Sequence, residues 1–244
     1  MYVISAGELF LKGKNLHTFE DCLIRNMIRL LDLKKGELIK KRFKYLIQRE
    51  ECSNLKYLFG ISNYAKVIVC NFDEINNVAL NLIKKEKSFR VTCKRSTKTY
   101  KSSELANKEV GAYIVKNKKI RVDLRNFEIE ICIEIIDDKA YVYSKKIDGL
   151  GGLPVGVTGD VLLDIKGEER KSVAGFLMMK RGCNVINAPK VLEKFGCIKK
   201  NRESVIVKDC DLEDIKKEDQ LVLYPLLGYS DKEVDKMYKE IIDL

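Results

Sequence analysis

The chain has 244 residues, of which 45% are apolar and 34% charged, and its formal net charge is +10. That length can bury one large core or two to three small ones, and that apolar content excludes wholesale disorder. No apolar run approaches the roughly 20 residues of a membrane-spanning helix, and the N-terminus has neither a charged leader with an apolar block nor a cleavage site, so a cytoplasmic protein with no membrane role is expected.

Taken in chain order, the spacing predicts a short strand over Tyr2–Ser5 and a helix from about Asn15 to Leu31, with Phe19, Leu23, Met27, Leu30 and Leu31 on one face. Leu38–Glu50 reads as one strand, because Ile39, Phe43, Tyr45 and Ile47 largely alternate with charged residues. The next segment reads as a strand (Ala65–Cys70), a helix (Glu74–Lys84), a strand (Ser88–Lys94) and a helix (Ser102–Val115). Two more strands follow, Glu128–Asp137 and Lys139–Lys145, with Asp137-Asp138 as a hairpin turn. Gly149–Pro154 is a glycine-rich boundary, and residues 155–244 alternate strand and helix. The expected architecture is α/β in three segments: 1–58, 59–150 and 155–244.

Charge is concentrated in the middle segment. Thirteen basic and three acidic residues lie between Lys84 and Arg121, an excess of +10, whereas eleven basic and thirteen acidic residues lie between Lys190 and Leu244. A basic face beside a near-neutral tail points to a polyanion docking on the central segment. The densest part is Lys94–Ser103. There Lys94, Arg95, Lys98 and Lys101 can neutralise phosphates, and Ser102 or Ser103 can cap the following helix, whose N-terminal amides suit an anion.

The eight cysteines are widely spaced with no C-x-x-C pair, and His17 is the only histidine, so no metal site is expected. Cys70, Cys93 and Cys132 sit in apolar runs and read as reduced core residues. His17 reads as an ordinary residue near a helix start, and no catalytic residue is assigned.

Gly149–Gly182 contains a buried-strand run, Val161–Ile165, followed by a helical pattern over Ser172–Lys180. A loop between a parallel strand and a helix start is where α/β proteins hold phosphates, and it needs glycines for close backbone approach. Here the loop reads Lys166-Gly167-Glu168-Glu169-Arg170-Lys171, with one glycine and two carboxylates. Glu168 adds both a side chain and a negative charge where a phosphate needs neither.

Gly151–Gly159 and Val173–Gly182 resemble the start of the pyrophosphatase-type (PP-loop) domain of the tRNA 4-thiouridine synthetases, or tRNA sulfurtransferases. In that family a run G-G-L-P-V-G-[VS]-[ST]-G leads through a strand to S-G-G-x-D-S and then to V-A-G-x-x-M-x-K-R-G. One of the five specified loop residues, Gly167, survives. Lys166, Glu168, Arg170 and Lys171 replace the others. Gly7–Asn15 with Phe19-Glu20 resembles the family's opening G-E-[IL]-x-L-K-G-x-N-R-x-x-F-E. Arg90–Glu104 is similar to the THUMP run R-[VI]-x-[AC]-K-R-x-x-K-x-[FY]-x-x-[ST]-S. Tyr224–Val234 resembles R-P-L-I-G-M-D-K-E-E-I.

The resemblance implies a ferredoxin-like domain (1–58), a THUMP domain (59–150) and a shortened, degenerate PP-loop domain (155–244). It implies tRNA, held by its acceptor end, as partner, with Lys12, Lys14 and Asn15 adding contacts. No cofactor is then expected, and a separate catalytic or sulfur-carrying protein supplies the modification chemistry. An active sulfurtransferase using ATP and magnesium is the alternative, and a binder of another structured RNA a third. A homodimer stays open.

Overall fold

The structure is a computed structural model that describes residues 1–7, 13–41, 44–197, 204–210, 212–215 and 217–244. In chain order its strands and helices begin β1 (Tyr2–Ser5), α1 (Leu16–Leu30), β2 (Leu38–Lys41), β3 (Lys44–Ile47), β4 (Asn63–Lys66), β5 (Ile68–Cys70) and α2 (Ile75–Leu82). They continue with β6 (Ser88–Arg95), α3 (Ser103–Asn117), β7 (Arg121–Val122), β8 (Ile129–Ile136), β9 (Lys139–Tyr143) and β10 (Ile147–Asp148). The last are β11 (Gly159–Asp164), α4 (Glu168–Lys180), β12 (Cys183–Val185), β13 (Val205–Lys208), β14 (Val222–Leu223) and α5 (Asp231–Asp243). Two compact units draw on alternating stretches of chain. The first takes Met1–Ser5, Gly36–Glu51 and Asn63–Asp148; the second takes Ala6–Lys35, Cys52–Ser62 and Gly149–Leu244.

The first unit holds two five-stranded sheets, ordered β10-β4-β1-β3-β2 and β5-β9-β8-β6-β7. Every pairing in the first sheet is antiparallel, while β6 runs parallel to both β7 and β8 in the second. The period-2 alternation of β6 and β8 sorts their side chains between the two faces of the second sheet. Phe89, Val91 and Cys93 with Ile129, Ile131, Ile133 and Ile135 join one core with Ala79 of α2 and Val110 and Ile114 of α3. Phe89, Ile131 and Ile133 are at most 1% exposed, and each such side chain contributes about 1.5–3 kcal/mol. A second apolar cluster joins Val3, Leu46 and Ala65 of the first sheet to Ile136, Tyr141 and Tyr143 of the second. The residues of β6 and β8 that alternate with the helix-side set are polar: Arg90, Thr92 and Lys94, and Glu130 and Glu134 around Cys132.

Two of the expected strands are divided in the structure. Leu38–Glu50 is not one strand but two, β2 and β3, paired antiparallel with Lys41 opposite Lys44. Folding back puts β3 inside the sheet, where Tyr45, Leu46 and Ile47 are all buried, and leaves the charged β2 at the edge. Phe43 lies outside the described residues. Ala65–Cys70 is also two strands, β4 in the first sheet and β5 in the second. Val67 marks the crossover, its amide donating to the Met1 carbonyl. The Asp137-Asp138 turn joins β8 to β9, with Asp137 at a left-handed φ of 55°.

The second unit carries a four-stranded sheet ordered β12-β11-β13-β14, parallel throughout. Val161, Leu163, Val173, Met179, Val185 and Val207 lie in its core, which Phe59 joins through ring contacts at 5.2 Å to Phe176 and 5.6 Å to Phe195. The helix α1 belongs to this unit, where Asn26 Nδ2 donates to the Val155 carbonyl at 2.9 Å. The glycine run explains itself by close approach. A Cβ on Gly152, whose φ is +69°, would lie 2.3 Å from the Lys180 carbonyl oxygen, and one on Gly149 would lie 2.5 Å from that of Ile61.

Among the described residues no helix is long and apolar enough to cross a membrane. The eight cysteines are free thiols; Cys70 and Cys93 lie in the helix-side core, and Cys132 packs partly buried against the inter-sheet cluster.

Candidate nucleic-acid interface

The basic segment occupies the end of β6, the start of α3 and the loop between them. Lys94 and Arg95 close β6 and are exposed, as is Lys98 in the loop. The loop is tied down at several points. The Ser96 amide donates to the Ile135 carbonyl at 2.9 Å, Arg95 Nη1 donates to the Tyr100 carbonyl at 2.9 Å, and the Thr97 and Thr99 hydroxyls donate to the Asp137 carbonyl. Tyr100 packs on Phe72 with ring centroids 4.7 Å apart.

Ser102 has the extended backbone of a helix N-cap, and its Oγ accepts from the Leu105 amide at 3.2 Å. Ser103 is the first helical residue. The four cations differ in what they can offer. Lys101 is ion-paired with Glu109, which raises its pKa and spends its charge inside the unit, and its ammonium also lies 5.2 Å from the Tyr100 ring. Arg95 is bent back on the loop. Lys94 and Lys98 make no ion pair among the described residues, so they carry the outward charge.

Of the N-terminal candidates, Lys12 lies outside the described residues. Lys14 and Asn15 are exposed and belong to the second unit, whereas Lys94–Ser103 belongs to the first.

The loop of the second unit is shorter than its sequence pattern indicates. The helix α4 begins at Glu168, so Glu168–Lys171 forms its first turn and only Ile165–Gly167 connects it to β11. Glu168 and Glu169 favour this early start, since carboxylates in a first turn complement the positive end of the helix dipole. Gly167 precedes the helix at φ +82°, with open space around it. The chain leaves β11 toward β12 on one side and β13 toward β14 on the other. The crevice between the C-terminal ends of β11 and β13 is therefore the switch point where open α/β sheets bind ligands.

Arg170 bridges that crevice. Its Nη2 donates to Asp209 Oδ1 at 3.0 Å, its Nε donates to the other oxygen of the same carboxylate, and its Nη1 donates to Asp231 Oδ1 at 2.7 Å. Asp209 directly follows β13 and Asp231 opens α5. Lys166 is exposed and Lys171 half-buried; Lys171 donates its amide to the Gly167 carbonyl at 3.0 Å.

Sequence reasoning found the basic loop but not what neutralises part of it. Glu109 stands eight residues beyond Lys101, and Asp209 and Asp231 stand 39 and 61 residues beyond Arg170. No local pattern links them. A signal was present for Glu130 and Glu134, which interrupt the isoleucine run of β8 at alternate positions. Burial works to raise the Glu130 carboxyl, but hydrogen bonds from Thr92 and Arg90 outweigh it and hold the group below the usual carboxylate range.

Residues 1–65 match the ThiI ferredoxin-like domain and residues 70–145 the THUMP domain. The chain is 38% identical over 202 residues to a probable tRNA sulfurtransferase of Mycoplasmopsis agalactiae, a match that covers 79% of this chain and 53% of that protein. The chain spans about half the length of the curated relatives it matches. Among solved structures it is similar to PH1313 of Pyrococcus horikoshii Ot3, with a TM-score of 0.81, 26% identity, and coverage of 100% of this chain and 99% of that one. The fold is also that of a 4-thiouridine synthetase solved with RNA and bound ATP, with a TM-score of 0.79, 22% identity, and coverage of 98% and 84%. The two matched domains occur in that order on a chain whose relatives are named probable tRNA sulfurtransferases, and the chain therefore belongs to the ThiI-like family.

Proposed function

We propose that the chain binds tRNA by its acceptor end, through segment 59–150 acting as the THUMP domain, and that modification chemistry comes from another protein. The observation that carries this reading is the THUMP match over residues 70–145, which contains the exposed cations Lys94 and Lys98 beside the capped start of α3. An acceptor stem with an unpaired 3′ end asks for recognition of backbone shape and charge rather than of base sequence, which a cationic, tied-down loop suits.

Segment 155–244 in this reading is a PP-loop domain without its nucleotide. ATP does not fit the residues present. The connection offers one glycine, the helix start carries two carboxylates, and the guanidinium at the switch point is engaged by Asp209 and Asp231. A pyrophosphate there meets negative side chains at the end of the helix that ought to attract it.

The test is titration of fluorescent tRNA against an unrelated hairpin of equal length, each at several salt concentrations. Tighter binding of tRNA, lost when its 3′ end is removed, supports the reading; equal affinity for both makes the chain a binder of structured RNA in general. The names of the relatives favour a second reading, an active sulfurtransferase. Calorimetry with ATP and magnesium in the presence of tRNA separates the two. Saturable micromolar binding, lost in Gly167→Val, favours the second.

A further inference from the structure

In the first unit a polar pocket of about 80 Å³ opens on the face of β6 and β8 that turns away from α2 and α3. It is walled by residues from both sheets, including Lys44 of β3, Thr92 and Lys94 of β6, Glu130 and Glu134 of β8, and Lys146. The parallel register sets Arg90 beside Glu130 and Lys94 beside Glu134.

The carboxylates are already engaged. Glu130 accepts from Arg90 Nη2 at 2.8 Å and from the Thr92 hydroxyl at 2.6 Å. Glu134, 6% exposed, accepts from Lys44 at 2.7 Å and from the Tyr143 hydroxyl at 2.9 Å. Two further cations line the pocket: neither Lys94 nor Lys146 makes an ion pair among the described residues, both are exposed, and Lys146 lies close enough to Glu130 to help Thr92 and Arg90 hold its carboxyl low. The volume is far below the roughly 300 Å³ at which ligand pockets begin, so the site suits a group no larger than one tetrahedral oxyanion.

We propose that this pocket is an oxyanion site that takes a single phosphate of a bound RNA backbone between Lys94 and Lys146. The proposal rests on the tRNA-binding reading and deepens it. Lys94 belongs both to the pocket and to the basic loop, so a strand crossing the loop presents its phosphates to the pocket mouth. The paired carboxylates beneath hold the wall in place and leave the excess charge with the two outer lysines.

The experiment compares the full-length chain with Lys94→Gln/Lys146→Gln and with Lys232→Gln/Lys236→Gln, which removes equal charge from α5. Affinity for tRNA is measured across salt concentrations. Amide resonances of Thr92 and Cys132 are followed separately during titration with inorganic phosphate. The pocket variant is expected to bind tRNA about tenfold more weakly, with a log–log salt slope shallower by roughly 0.7–0.9, and to lose the phosphate-induced shifts; the α5 variant is expected to match wild type.

An equal loss of tRNA affinity in both variants overturns the pocket while leaving tRNA binding intact. No tRNA binding by the wild type defeats the functional reading instead. Phosphate shifts that persist in that case, and vanish in the pocket variant, support the oxyanion site with free phosphate as its ligand and overturn RNA as its source. Absence of phosphate shifts in the wild type, together with an unchanged salt slope in the pocket variant, overturns the site itself.

Discussion

Lys44 and Glu134 join the two sheets of the first unit, with Nζ 2.7 Å from Oε2 and side chains only 17% and 7% exposed. Lys44 also donates to Ser5 Oγ at 2.8 Å, and Tyr143 donates to the same carboxylate from the neighbouring strand β9. Removing one partner of such a pair leaves the other charge buried and uncompensated. Lys44→Met is therefore expected to cost about 3 kcal/mol. Adding Glu134→Gln, which keeps an acceptor for Tyr143 but removes the charge, should restore more than half of the loss. Urea unfolding of the single and double variants measures this; a single variant within error of wild type shows the pair contributes nothing to stability.

Arg170 performs a comparable role in the second unit. Its bidentate contact with Asp209, whose side chain is 15% exposed, ties the first turn of α4 to the end of β13. Charge-assisted hydrogen bonds of this type contribute about 1.5–3 kcal/mol, so Arg170→Ala should lower stability by about 2 kcal/mol. Asp231 is 89% exposed, so Asp231→Ala should change stability little. Thermal melts of the two variants rank the contacts, and equal effects contradict the assignment of Asp209 as the main partner.

Gly152 tests the close approach in the glycine run. Both its left-handed φ and the Lys180 carbonyl 2.3 Å from a built Cβ oppose any side chain. Gly152→Ala is expected to cost more than about 2 kcal/mol. Gly36, also at positive φ but with nothing within 4 Å, should lose only about 1 kcal/mol on the same substitution. A comparison of the two unfolding midpoints separates steric approach from backbone strain.

Three thiols set a stability limit at high pH. Burial pushes Cys70, Cys132 and Cys197 up to about 11, from 9.0 for an unperturbed thiol. Between pH 9 and 11 the unfolded chain loses these protons while the folded chain keeps them. The unfolded state then binds fewer protons, and stability falls as pH rises through that window. Below pH 9 both states hold the proton and the contribution is fully present. Urea midpoints at about pH 8.5, 9.5 and 10.5 under reducing conditions should decline, and the decline should shrink in Cys70→Ala/Cys132→Ala. A flat profile in wild type contradicts the burial of these groups.

Much of the local structure was legible because it depends on neighbours a few residues apart. The alternation in Ser88–Lys94 and Glu128–Asp137 reads directly as β6 and β8, and the serine before α3 reads as its cap. Alternation did not show that Leu38–Glu50 folds back on itself, or that Ala65–Cys70 divides between two sheets. Both halves of each run carry the same period, and only the choice of neighbouring strand separates them.

The candidate site divides along the same line. By itself the sequence determined the concentration of cations between Lys84 and Arg121, the motifs that mark the family, and the loss of all but one specified residue in the phosphate loop. These are properties of residue identity and short spacing. Only the tertiary structure decided that Lys101 is spent on Glu109 while Lys94 is not, that α4 absorbs Glu168–Lys171, and that Arg170 meets Asp209. It also decided that Lys44 comes from 90 residues away to neutralise Glu134 and complete the pocket wall. Hydrogen-bonded ion pairs form where the backbone brings groups within about 3 Å, and the closing of long loops that does so is governed by the packing of whole sheets, which no local period records.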